Sequence, residues 1–570
     1  MNANGEKNRI RFIFFCFLLF GLILCVRLYF IQIVHSQDYI DKADRQYVSL
    51  TNNIFDRGNI FFQNKDESLF RVASLFTGYI IALNPQKITD PAPIYESLSN
   101  LLPLDLDVFY AKVNQKNSVY QKIAGEVPEE IMKKIEALNI PGLQIEKERS
   151  RTYPGDSLAA QTLGFVAYDG DILVGRYGLE KYYEDVLSRQ SNQAYVNFFA
   201  EIFSNLKQTI SDDFKREGEI ITSLEPVVQN FLEKTLADIS QKYDSKLSGG
   251  IIIDPMTGEI YAMAVDPTFN LNKFSEEKDI SVFNNPLVEG LYEMGSIIKP
   301  LTMAAGLDSG AVNAVTTYND TGSLSLDTYT IYNHDKKAHG VVNMQEVLSQ
   351  SLNLGVSFVV RKMGKEKFAD YMRNYGLAEE TGIDLPGENH GRLENLDSPR
   401  DIEYATASFG QGISMTPIET VRALSSLANG GKLIIPHIVK KINYITGLFN
   451  NISYVDEAKQ VLKKETSEEI SRMLTVVVDK ALAGGKVALP NYSVAAKTGT
   501  AQIAKPGGGY YDDRWLHSFF GYFPSYNPRF LVFLYTVEPK GISFASQTLT
   551  EPFMDNVKFL INYYNIAPDR

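Results

Sequence analysis

At 570 residues the chain is long enough for several domains and at least one large core, and 44% hydrophobic with 22% charged residues is a globular composition. A net charge of −12 excludes nucleic acid as a principal partner, because phosphate binding needs a basic surface. Both cysteines, Cys16 and Cys25, lie in one N-terminal apolar stretch and the six histidines show no metal-ligand spacing, so no disulfide, metal or cofactor is expected in the rest of the chain.

Residues 1–11, with Lys7, Arg9 and Arg11, are expected to form a cytoplasmic tail before a transmembrane helix over residues 12–34. Phe12 to Val26 carries no charge, and the stem of Arg27, near the far end of the span, is long enough to reach the interface. No small-x-small cleavage site follows Val26, which favours an anchor over a removed signal peptide. No later apolar run is long enough for a second crossing. The expectation is a single-pass protein of the cytoplasmic (inner) membrane, with its bulk outside the cytoplasm and no use for ATP.

Residues 35–217 read as an irregular mixed domain. Lys133 to Leu138 and Tyr177 to Leu187 are helix candidates, with a turn at Pro141-Gly142. Asp169, Asp171 and Glu180 read as solvated or structural carboxylates, although spacing alone leaves a paired-carboxylate glycosidase open.

From residue 218 to 570 the texture changes. Pro226 can open a helix through Tyr243, with Val227, Phe231, Leu232, Leu236 and Ile239 on a helical period. Gly250 to Ala264 reads as a β-hairpin around a Pro/Gly turn. Helices are expected over 296–308, 343–363, 364–375, 417–429 and about 467–482, strands over 493–498, 517–522 and 529–537, and a last helix from about 552. That order implies an α+β domain, one antiparallel sheet flanked by helices. No Rossmann or P-loop glycine pattern is present.

Three short motifs carry chemistry. Ser296-Ile-Ile-Lys299 puts a hydroxyl and an ammonium three residues apart on one helical face, where a Lys of lowered pKa can take the serine proton. The same helix start offers a backbone N–H to an oxyanion. Ser351-Leu-Asn353 places a hydroxyl and an amide where they can relay a proton and hold a substrate carbonyl; read alone, it is better taken as a capped helix junction. Lys497-Thr498-Gly499-Thr500 ends an apolar strand. Its ammonium and two hydroxyls suit a carboxylate, and Gly499 would admit substrate close to the backbone.

Each motif is common alone, but S-x-x-K, S-x-N and K-T-G in this order are the signature shared by penicillin-binding proteins and class A β-lactamases. Here the chain resembles the class B penicillin-binding proteins, and the likeness covers nearly all of it. Tyr292-Glu-Met-Gly-Ser296 is similar to that family's approach to its nucleophile, with Met294 where Pro is usual. Ser408-Phe-Gly-Gln-Gly-Ile-Ser-Met-Thr-Pro417, Ala428-Asn-Gly-Gly-Lys432 and Phe520-Gly-Tyr-Phe-Pro524 look like its other recurring segments. Asp56-Arg-Gly-Asn-Ile60, Arg151-Thr-Tyr-Pro154 and Tyr177-Gly-Leu-Glu180 resemble the class B pedestal motifs, and Glu219 to Pro226 resembles the junction into the transpeptidase domain. The glycosyltransferase signature of class A enzymes is not found.

The resemblance implies a pedestal (dimerisation-type) domain over 35–217 and a transpeptidase domain over 218–570. It implies a D,D-transpeptidase in which Ser296 attacks the penultimate D-Ala carbonyl of a peptidoglycan stem peptide with Lys299 as base. Ser351 and Asn353 relay a proton and position the peptide, and Lys497 supports that relay. Thr498 and Thr500 hold the terminal carboxylate, the N–H groups of Ser296 and Thr500 form the oxyanion hole, and a second stem's amine resolves the acyl-enzyme. β-Lactams become inhibitors, and a membrane glycan polymerase and divisome proteins become expected partners. The short N-terminal module and the stretch Ala137 to Gly142 look more like the division-specific branch than the elongation branch. A membrane-bound β-lactamase or lactam sensor, and a catalytically silent scaffold, share the trio. No E-x-x-L-N segment for a deacylating carboxylate lies between Asn353 and Lys497.

Overall fold

The computed structural model describes residues 55–170, 172–189 and 217–570, together with Phe20. The cytoplasmic tail and, Phe20 apart, the expected transmembrane span over 12–34 lie outside the described residues. Among the described residues no helix is long and apolar enough to cross a membrane.

The N-terminal part is more regular than its sequence suggests. Strands β1 (Ile60–Gln63) and β2 (Leu69–Leu83) form an antiparallel hairpin, and β3 (Gln121–Val127) and β4 (Leu143–Thr152) both pair with β2. β5 (Gly218–Thr222) runs parallel to β1, with Ile220 opposite Ile60. Short helices Ala92–Ser99, Leu106–Val113 and Glu129–Glu136 bury Leu98, Phe109, Val113 and Ile135 with Ile81 and Leu83 of β2.

Beneath this sheet lies a buried ionic knot. Fully buried Glu180 accepts from Arg57 Nε and from Arg151 Nε, each at 2.6 Å, while Tyr153 Oη donates to it at 3.3 Å. Burial opposes the Glu180 charge, but the Arg151 and Arg57 guanidinium groups outweigh it and hold the carboxyl below its ordinary range. The three pedestal motifs are therefore three sides of one structural ion cluster.

The second sheet is the five-stranded antiparallel one. β6 (Leu247–Ile253) and β7 (Ile260–Asp266) form the expected hairpin, and β10 (Ala495–Ala504), β11 (Tyr510–Phe523) and β12 (Phe530–Val537) complete the order β10-β11-β12-β6-β7. Every residue of β12 is buried. Alternation divides it: Leu531, Phe533 and Tyr535 face one core, while Phe530, Val532 and Leu534 face the other. Helices α1 (Pro226–Tyr243) and α6 (Thr550–Tyr564) cover the second face through Leu232, Leu236, Phe553 and Val557. The first face is covered by the helical block of α2 (Lys299–Asp308), α3 (Asn353–Met363), α4 (Pro417–Ala428) and α5 (Lys464–Val476). Between those helices the chain sends β8 (Val439–Tyr444) and β9 (Phe449–Asn451) back to the first sheet, where β8 pairs with β5.

Three expected helices differ in detail. The one over 296–308 opens with a 3-10 turn, Gly295–Ile298. The one over 343–363 breaks into Met344–Ser349 and α3, because Ser351 adopts a left-handed conformation, φ 56°. The one over 467–482 ends at Val476 and continues as a π-helical turn, Val477–Ala481.

Candidate active site

The turn carrying Ser296 is pinned from three sides. Tyr292 exchanges two backbone hydrogen bonds with Met415, and Gly295 N–H donates to Gly410 carbonyl at 3.1 Å. From the sheet, Ser518 Oγ of β11 donates to Met294 carbonyl at 2.8 Å. Gly295 has φ 65°, and a Cβ there would lie 2.6 Å from Thr500 carbonyl oxygen. Only glycine lets the turn sit this close to β10. The 3-10 geometry, three residues per turn, then stacks Lys299 over Ser296.

Lys299 is 1% exposed and ends against the break between the two helices. Its Nζ donates to Ser351 carbonyl at 2.5 Å and to Ser351 Oγ at 3.1 Å. Burial first, and the nearby Lys497 ammonium second, push Lys299 well below the ordinary lysine range. Lys497 of β10 is 3% exposed and donates to Thr498 carbonyl at 3.0 Å, and burial lowers it to about 8. Asn353 opens α3 and its amide donates to Tyr332 carbonyl at 2.8 Å. The three motifs thus meet, Ser351 touching Lys299 and lining with Lys497 and Thr498 a cavity of about 510 Å³. A larger cavity of about 1010 Å³, between the start of α5 and Pro528, contains none of the trio.

Lys299 stands one 3-10 turn from Ser296, and among the described residues its Nζ hydrogen bonds go to Ser351. Two details depart from the sequence reading. Gly499 is not an opening for substrate: a Cβ there would strike Ser518 Oγ and lie 2.8 Å from Met294 carbonyl, so the missing side chain seats the Ser296 turn against β10. Thr500 Oγ1 already accepts from Ala545 N–H at 3.1 Å, which leaves its proton, rather than the whole hydroxyl, for a ligand.

Sequence reasoning missed Ser518, which holds Met294, and Thr302, whose hydroxyl donates to Ser408 carbonyl at 2.8 Å. No spacing rule flags them, since each acts across a tertiary contact. It also missed His334, Asp335 and His339, which line the trio's cavity. A doublet and a single histidine in a polar loop carry no metal pattern, and among the described residues no cluster is arranged to hold a metal ion.

Comparison with known proteins gives a consistent result. The model for the penicillin binding protein transpeptidase domain matches residues 249–557, and that for the penicillin-binding protein dimerisation domain matches residues 56–249. Stage V sporulation protein D of Bacillus subtilis (strain 168) is 30% identical, aligned over 98% of this chain and 86% of its own length. Peptidoglycan D,D-transpeptidase FtsI of Buchnera aphidicola subsp. Baizongia pistaciae is 26% identical, over 99% of this chain and 96% of its own. Penicillin binding protein 2X of Streptococcus thermophilus superposes with a TM-score of 0.71 at 19% identity, covering 90% of this chain and 81% of that one. Penicillin binding protein 3 of Mycobacterium tuberculosis, complexed with aztreonam, superposes with a TM-score of 0.68 at 22% identity, covering 91% and 98%.

Proposed function

Because this chain belongs to the class B penicillin-binding proteins, we propose that it is a peptidoglycan D,D-transpeptidase whose acyl-enzyme forms on Ser296. The observation that carries the assignment is Lys299: a nearly inaccessible lysine, one 3-10 turn after Ser296, kept low by burial and by Lys497. Its Nζ donates to the Ser351 carbonyl and hydroxyl, which holds the side chain at the Ser351 break, one 3-10 turn from Ser296, where a lysine lowered by burial can take the serine proton.

Ser296 Oγ attacks the penultimate D-Ala carbonyl as Lys299 takes its proton, and the oxyanion rests on the Ser296 and Thr500 N–H groups. Ser351 Oγ passes a proton to the departing D-Ala and is resupplied by Lys299. Lys497, still largely protonated at neutral pH, supports the relay and pairs with the terminal carboxylate beside Thr498 and Thr500. Asn353 holds the peptide. A second stem's amine then releases the cross-linked product. β-Lactams inhibit by taking the donor's place.

Fluorescent penicillin followed through a deacylation time course tests this. One slowly released label on Ser296 is expected; rapid turnover would mark a β-lactamase, and no label a silent scaffold. We further propose anchoring through residues 12–34, with the N-terminus cytoplasmic and the catalytic domain outside, and work at the septum beside a glycan polymerase and divisome proteins. The apolar run and the FtsI relatives support this. A fluorescent fusion along the sidewall, or a mature N-terminus after Arg27, would overturn the septal site or the anchor respectively.

A further inference from the structure

The steps above leave three titratable side chains of the cleft without a role. His334, Asp335 and His339 lie on the segment between the short strands Tyr329–Tyr332 and Gly340–Asn343, and line the cavity that Ser351, Lys497 and Thr498 line from the other side. The segment is built rather than loose. Asn333 Nδ2 donates to both Asp320 oxygens at 2.9 and 3.0 Å, and Asp335 accepts from Lys337 N–H at 3.0 Å. His339 Nε2 lies 3.1 Å from Asp335 Oδ2. Asn353 ties the same segment to the trio through Tyr332 carbonyl. Opposite, the His334 ring meets Phe544 edge-on, centroids 6.2 Å apart, and the next residue, Ala545, is the donor to Thr500.

Charge divides this cleft into two halves. Lys497 with the Thr498 and Thr500 hydroxyls is a place for an anion, the donor's carboxylate. Among the described residues lining the cavity, Asp335 is the sole carboxylate, 27% exposed and open to a ligand. A second substrate bringing positive charge has this one complementary partner, since Lys497 would repel it. An amine arriving as an ammonium cannot attack an ester until it sheds a proton. His334, next to Asp335, is the group placed to take it. The charged groups around His334 are Lys299, Asp335, Lys497 and His339; desolvation first, then Lys299 and against the pull of Asp335, keep its imidazole below the ordinary range and neutral at neutral pH.

We propose that Asp335 and His334 form the acceptor subsite: Asp335 binds the cationic amine of the second stem peptide, and His334 accepts its proton as it attacks the acyl-enzyme. The proposal rests on the transpeptidase reading. The ammonium gives one proton to the imidazole, and the freed lone pair forms the C–N bond at the ester carbon. The C–O bond to Ser296 breaks with its electron pair on Oγ, which takes the second amine proton through Ser351 and Lys299. The imidazolium returns its proton to solvent, so ester and ammonium become amide, serine and one proton.

The test uses the full chain in detergent micelles, an N-acyl-D-alanyl thioester as donor, and Nα-acetyl-L-lysine amide as cationic acceptor. The readout is the ratio of aminolysis to hydrolysis, a property of the acyl-enzyme that does not depend on how fast it formed. Asp335→Asn is expected to lower the ratio about tenfold, and His334→Gln about a hundredfold with a steeper rise toward alkaline pH. With hydroxylamine, uncharged at neutral pH, the Asp335→Asn loss should be smaller. A ratio unmoved in either variant, or equal Asp335→Asn losses with both amines, overturns the subsite. Failure of the unaltered protein to be acylated by thioester or penicillin overturns the transpeptidase reading and takes the subsite with it.

Discussion

Lys497 should set the alkaline limb of acylation. It is 3% exposed, and burial lowers its ammonium to about 8. The charge is present at neutral pH and is lost as pH climbs through that value, so the second-order acylation constant for a carboxylate-bearing β-lactam should fall about tenfold per pH unit beyond it. Lys299 acts with the opposite sign: as the base it must be unprotonated, so activity falls where acid protonates it, and the profile is bell-shaped. Lys497→Arg keeps a cation throughout, and the alkaline limb should vanish even if the planar fork fits less well. Lys497→Met removes a charge-assisted contact of about 1.5–3 kcal/mol, a loss of roughly 10–150-fold. It also removes the like charge facing Lys299, whose pKa should rise and carry the acid limb upward. The assay is fluorescent-penicillin acylation across buffers from mildly acidic to strongly alkaline, corrected for spontaneous lactam hydrolysis. An alkaline limb that stays in place in Lys497→Arg refutes the assignment.

Ser296→Ala should abolish acylation while leaving the fold intact, and an intact-mass adduct on any other serine would contradict it. Ser518→Ala leaves Met294 carbonyl buried without its donor, at a cost of about 1–3 kcal/mol; acylation should slow about tenfold, and an unchanged rate removes Ser518 from the positioning scheme. Gly499→Ala should cost stability as well as acylation, since its methyl displaces the nucleophile turn; normal melting with lost acylation would instead return Gly499 to the substrate. Glu180→Gln takes the buried carboxylate from both guanidinium groups, leaving Arg151 the Gly58 carbonyl and Arg57 the backbone carbonyl of residue 180 and Glu184 Oε2 at 2.8 Å, so about 3 kcal/mol of stability should go, read by urea unfolding. Its carboxyl is held low, so its contribution is present above the ordinary carboxylate pKa and lost as pH falls through the folded value. Equal stability of variant and parent at neutral pH would refute the cluster's role.

The legible parts of the chain were those whose signal is local. The Gly250 to Ala264 hairpin, the Pro-opened helices at Pro226 and Pro417, and the trio itself are written in neighbouring residues. The pedestal sheet was not legible. β4 reads Leu-Gln-Ile-Glu-Lys-Glu-Arg-Ser-Arg-Thr, with charges at successive positions and no clean alternation, and its pairing with β2 comes from a partner about sixty to eighty residues away (Leu83 with Leu143, Ser74 with Thr152). β8 is harder still, since it leaves the helical block to complete a sheet begun by β1. Gly499 shows the same limit at the site: its glycine was evident, but whether substrate or protein fills the vacant side depends on Ser518 and Met294, both remote in sequence.

The backbone of Ser351 explains why the middle motif must break a helix. A continuous helix over 343–363 would commit the Ser351 carbonyl to an amide four residues on and turn it along the axis. At φ 56° that carbonyl is released, and both it and Oγ face Lys299 Nζ. A non-glycine residue in this region carries strain of about 1–3 kcal/mol, which persists only where surrounding contacts fix it. Those contacts are present: Ser351 N–H donates to Leu348 carbonyl at 3.2 Å, Leu352 N–H to Val347 carbonyl at 2.9 Å, and Leu352 is fully buried. Relaxing Ser351 into the helix would also withdraw the only hydrogen-bond partners that Lys299 Nζ has among the described residues, leaving a buried amine unsatisfied. The strain of one residue and the burial of the other therefore hold each other in place, and the proposed chemistry of Ser296 depends on both.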